Sequence, residues 1–103
     1  MQDLYLLAEG LNRRFPDGNE PYQIATRLAE ECGEVASEIA HWENSGVKRQ
    51  KHGEPSKEKM ASEIKNVLSC AMQIALYYGV QKELHQTINV SLAKLREEGH
   101  INA

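Results

Sequence analysis

Apolar residues recur along this chain at helical spacing, and no stretch alternates as a strand would. Leu4, Leu7, Ala8, Leu11 and Phe15 fall on one side of a helix predicted over about residues 2–15, which Pro16-Asp17-Gly18 ends in a turn. Asn19, Glu20 and Pro21 supply a capping residue, an acid and an early proline, and so open a second helix. Its pattern runs on to His41 and Trp42 and closes at Gly46. Residues 47–55, VKRQKHGEP, carry no periodicity, and Pro55 disfavours helix at Glu54, which marks this stretch as the loop. Ser56 can cap a third helix with Met60, Ile64, Val67, Ala71, Ile74 and Tyr78 on one face, up to a stop at Gly79. A fourth helix follows with the stripe Leu84, Ile88, Leu92 and Leu95, and ends at Gly99. Two long helices joined by a modest loop run antiparallel, and two shorter ones can cover their remaining apolar faces. The expected fold is all-α, an antiparallel four-helix bundle, with residues 1–103 as one domain.

Composition narrows the picture without changing it. A chain of 103 residues buries a small fraction of its surface, so a second copy would help it, and the expectation is a homo-oligomer. Net charge is −3, from 12 Lys and Arg against 15 Asp and Glu, which removes the general attraction to nucleic acid that a basic domain has. No apolar run approaches the ~20 residues that span a bilayer, and Met1 to Gly10 lacks a basic segment, so no membrane partner is expected and the cytoplasm is the default compartment. Cys32 and Cys70 sit inside helical patterns without a CxxC or a histidine at ligand spacing, and read as buried, reduced thiols rather than zinc ligands or a disulfide.

The acids carry the chemistry. On a helical wheel of about 100° per residue, Ile24, Leu28, Val35, Ile39 and Trp42 lie within roughly 60° of one another, and Glu31 falls within about 20° of Ile24 and Trp42. A carboxylate in such a stripe must be protonated, paired with a cation or bound to a metal. Glu34 and Glu38 flank the stripe, and Glu30 lies further round; acids at such spacing also make ordinary solvated helix faces. On the third helix Glu63 borders Val67 and Ile74, and Asn66, Cys70 and Tyr77 continue that edge. Residues three apart on a helix are neighbours, so Glu31 with Glu34 and Glu63 with Asn66 form two pairs that can face each other across an antiparallel interface. Oxygen ligands from facing helices suit a hard cation such as Mg²⁺.

The run Glu30-Glu31-Cys32-Gly33-Glu34, followed by Glu63-Ile64-Lys65-Asn66 on the next long helix, resembles the EExxE and ExxD signature of MazG-like all-α nucleotide pyrophosphohydrolases. The resemblance covers roughly residues 20–79. It implies Mg²⁺ ligation by Glu31, Glu34, Glu63 and Asn66, with Mn²⁺ as a substitute. The departure is Asn66, where the pattern has aspartate: an amide oxygen still ligates Mg²⁺ but brings no charge, so affinity should fall.

The implied reaction splits a nucleoside triphosphate between its α and β phosphates, giving a monophosphate and pyrophosphate. Glu31 or Glu34, or Glu30 or Glu38 from behind them, would take the proton of the attacking water. Lys48, Arg49, Lys51 and His52 in the loop, with Lys57 and Lys59 after it, could neutralise phosphate charge, or could simply be solvated. Lys94 and Arg96 loosely match basic residues that such proteins carry late in the chain. Trp42 ends its stripe near the loop, where an aromatic could stack on a base, although packing is the plainer role; Tyr77 and Tyr78 also read as packing residues, and His85 and His100 as lone histidines. The family's closed oligomers imply a homodimer or homotetramer. The alternatives are phosphoribosyl-ATP pyrophosphohydrolase activity, and a catalytically weakened nucleotide- or metal-binding relative.

Overall fold

The computed structural model describes residues 1–43 and 53–102. Among them are four helices and no strand: α1 Gln2–Arg14, α2 Pro21–Glu43, α3 Lys57–Tyr78 and α4 Gln81–Glu97. The predicted stop at Gly46 and most of the predicted loop lie outside the described residues. The ends of α3 follow the expected chemistry. Ser56 Oγ accepts from the Lys59 amide at 3.0 Å, and Gly79 adopts φ 65°, the left-handed conformation that glycine enters without a Cβ clash. That turn lets the Val80 amide reach the Ala75 carbonyl at 3.0 Å.

The start of α2 differs in detail. Pro21 opens the helix, but the Glu20 amide is satisfied by Gln23 Oε1 at 3.0 Å, the reciprocal half of a capping box. Asn19 does not cap. Its side-chain amide donates to the Phe15 carbonyl at 2.7 Å, and its Oδ1 accepts from Arg27 at 3.2 Å, which ties the end of α1 to α2.

Helix α3 is the centre of the molecule. Helix α2 packs along one side of it and α1 along another, while α1 and α2 do not pack on each other. The partners along α2 and α3 run in opposite order: Arg27 reaches Gln73, whereas the charge of Lys59 senses Glu38 and Glu34, so the two long helices are antiparallel as expected.

The described helices are consistent with the expected all-α bundle, and the fourth is the most lightly packed of them. Helix α4 meets α3, and α1 through the Tyr5–His85 ring contact, and has no buried residue, so it covers little of the apolar faces. The radius of gyration is accordingly 16.9 Å, against about 13 Å for a compact chain of this length.

The faces turn out differently too. The buried side of α3 carries Glu63, Ser69, Cys70, Met72, Gln73 and Ala75, so its polar edge meets α1 and α2. From the predicted apolar stripes, Ile39 is 50% exposed, Ile64 45% and Tyr78 60%. Tyr77 is also open and meets Tyr78 edge to face at 5.1 Å rather than packing into a core.

Candidate metal and phosphate site

Two adjacent clefts lie along the seam of α2 and α3. The first, of about 420 Å³, is lined by Glu34, Ser37, Glu38 and His41 from α2, Glu54 and Ser56 ahead of α3, and Lys59 from its first turn. Lys59 Nζ lies 3.2 Å from Glu63 Oε1, one helical turn further on. The Lys59 pKa is raised, first by the hydrogen bond and charge of Glu63, then by the charges of Glu38 and Glu34. Three carboxylates from two helices thus bear on one ammonium.

Glu38 and Glu63 are buried, Glu31 is half-buried, and Glu34 and Glu30 are exposed. Glu38 Oε2 is enclosed without a hydrogen-bond partner among the described residues, with His41 Nδ1 3.7 Å away. A carbonyl can only accept, so the 2.7 Å contact between His41 Nε2 and the Gly53 carbonyl is a ring N–H donating. His41 thereby fastens the segment ahead of α3 to the end of α2.

The second cleft, of about 270 Å³, contains Glu31 and Asn66 together with Arg27, Asn19, Cys70 and Gln73, under Leu11 of α1 and Phe15 just past its end. Arg27 organises it. The guanidinium donates to the Gly18 carbonyl at 2.6 Å, to Asn19 Oδ1 at 3.2 Å and to Gln73 Oε1 at 3.2 Å. Gln73 in turn donates to Asn12 Oδ1 at 2.8 Å, which completes a polar chain across the three packed helices. Burial raises the Cys70 pKa, and Arg27 opposes that shift. Cys32 is exposed, contrary to the expectation that both thiols are buried.

The residues singled out from the sequence therefore fall into groups. Glu31 and Asn66 share the second cleft; Glu34 and Glu38 share the first, joined to Glu63 through Lys59. Glu30 lines neither, and Trp42 is half-buried with an enclosed Nε1 that has no hydrogen-bond partner among the described residues. Lys94 and Arg96 are exposed in the last turn of α4 and line neither cleft. Lys48, Arg49, Lys51 and His52 lie outside the described residues. His85 is not alone: its ring is 5.8 Å from that of Tyr5. His100 Nε2 is 3.9 Å from Glu98.

Among the described residues no three His, Cys, Asp or Glu side chains form a ready metal cage. Glu34, Glu38 and Glu63 are nevertheless oxygen donors on facing helices, the donor type that a hard divalent cation takes, and Glu38 Oε2 is buried without a hydrogen-bond partner among the described residues. Sequence reasoning missed the roles of Arg27 and of Lys59 beside Glu63. Only Lys59 left a signal, its spacing of four from Glu63.

Compared with known proteins, the chain matches no family model, no curated protein and no solved structure. None of the described helices is long and apolar enough to cross a membrane.

Proposed function

We propose that the protein is a magnesium-dependent nucleoside triphosphate pyrophosphohydrolase, which releases a nucleoside monophosphate and pyrophosphate and works as a homodimer or homotetramer. The observation that carries this reading is the gathering of Glu34, Glu38 and Glu63 from antiparallel helices about Lys59, with one buried carboxylate oxygen of Glu38 without a hydrogen-bond partner among the described residues. Leaving such an oxygen unsatisfied is costly in an inert helix pair and useful where a cation is to be bound. Of the four ligands that the resemblance implies, Glu34 and Glu63 would hold the metal together with Glu38 at the first cleft, and Glu31 and Asn66 would have to reach it from the second.

Bound there, Mg²⁺ would polarise the phosphoryl oxygens and acidify a water. The chain's own part is to orient and to move a proton. Arg27 and Gln73 brace the seam on which Glu31 and Asn66 stand. Among the acids of the first cleft, the buried Glu38 would take a proton from the attacking water. The cationic residues at 48–52 and Lys59 would offset phosphate charge.

The test is pyrophosphate release by the wild type, Glu63→Gln and Glu38→Gln with Mg²⁺. Both variants keep side-chain volume and remove charge, and each should lose at least about a hundredfold in rate, as when a group acting directly in proton transfer or charge stabilisation is removed. Full activity in a folded Glu63→Gln protein would remove the carboxylate from the mechanism.

A further inference from the structure

Lys59 is the cationic side chain that the described residues place among the acids of the first cleft, and its setting is asymmetric. Its side chain is 58% exposed while that of Glu63, 3.2 Å away, is 9% exposed. The backbone of Lys59 is fixed, because its amide is held by Ser56 Oγ at 3.0 Å. The ammonium can therefore swing into solvent without disturbing the start of α3, and leaving a half-exposed ion pair is a modest loss. The carboxylates cannot follow. Glu38 is 6% exposed and Glu63 7%, and Glu38 Oε2, 3.7 Å from His41 Nδ1, lacks a hydrogen-bond partner among the described residues. Once the ammonium has left, another cation must compensate them.

We propose that Lys59 is a resident counter-ion, which holds the carboxylates of Glu34, Glu38 and Glu63 together until a divalent cation takes its place. The inference rests on the metal-dependent reading above and adds a competitor to it. Metal affinity is then set by the difference between two cations at one position, and removing the lysine strengthens metal binding. A lysine that only staples the first turn of α3 would have the opposite effect or none.

The experiment is calorimetric titration of the full chain with Mg²⁺ and with Mn²⁺, without nucleotide, for the wild type, Lys59→Met and Lys59→Arg. Methionine keeps the apolar stem and drops the charge, and arginine keeps the charge. Lys59→Met should bind the cation about fivefold more tightly, the upper range expected when a half-exposed ion pair no longer has to be broken. Lys59→Arg should stay near the wild type. Equal or weaker binding by Lys59→Met, with metal binding by the wild type intact, overturns this proposal and leaves the metal site standing. If no protein binds either cation, both fall. A second measurement covers a variant that fails to fold: in wild-type protein with isotope-labelled lysine side chains, the Lys59 signal should shift along the same Mg²⁺ titration curve. A Lys59 signal that stays still while the metal binds overturns the displacement.

Discussion

Arg27 illustrates how one side chain can decide the local structure of a helix pair. Its guanidinium bonds to Gly18, Asn19 and Gln73 at once, and a fork of fixed donors suits three acceptors in a way that a lysine ammonium does not. Arg27→Ala should lower unfolding free energy by about 2 kcal/mol, the range for hydrogen bonds to a charged group in a part-buried place; Arg27→Lys should recover only part of it. Urea denaturation measures both. The two thiols should also separate. Cys32 is exposed and Cys70 buried, so a thiol reagent should label Cys32 rapidly and Cys70 only as fast as the helices open. Because the folded state raises the Cys70 pKa, it holds that proton more tightly than the unfolded chain does. This contribution to stability is complete below the unfolded thiol value, about 8.5, and is lost as pH rises through the folded value. Cys70→Ala should flatten that alkaline fall, as read from melting temperature against pH.

At the level of elements, the junction between α3 and α4 turns on Gly79. Its φ of 65° is hostile to an L side chain, while a Cβ there would meet nothing within 4 Å. Gly79→Ala should therefore lose about 1 kcal/mol from backbone strain alone, with the helices otherwise unchanged by circular dichroism. Helix number, the turn at Gly79, the Ser56 cap and the antiparallel pairing of α2 with α3 were legible in the sequence because each depends on local periodicity or on one residue's backbone preference. The inward faces were not. A wheel centres a helix on its apolar stripe, which placed Ile39 and Ile64 inside, yet the pair meets along the flank that carries Glu38, Glu63, Cys70 and Gln73. Which flank wins depends on partners distant in sequence, such as the Arg27–Gln73–Asn12 chain, and spacing along a single helix holds no trace of those. The acids were found by their types and spacing; their division between two clefts was not.

For the whole molecule, the outline is broad and thin, with extents of 45 × 44 × 21 Å. Among the described residues Ile24 is the one large side chain with less than 2% exposure, too small a core to hold four helices alone. Going round each helix at about 100° per residue, the open side chains of Ile39 on α2 and of Ile64 and Leu68 on α3 fall on the side of the pair away from the acid cleft. A second copy laid on that face would complete a bundle from two pairs of long helices. Light scattering coupled to size exclusion should therefore give a mass of two or four chains, and Ile39→Glu with Ile64→Glu should shift it to one, since charges on an apolar contact oppose burial. A wild-type monomer would remove the oligomeric part of the account.

All three scales meet at the acids between α2 and α3, and their chemistry is tested most directly by the products. Wild-type protein incubated with a panel of nucleoside triphosphates should yield monophosphate and pyrophosphate in equal amounts in Mg²⁺ and nothing in a chelator. Release of orthophosphate instead, or a yield that is indifferent to Mg²⁺, would contradict the assignment of Glu31, Glu34, Glu63 and Asn66 to a metal that works between the α and β phosphates.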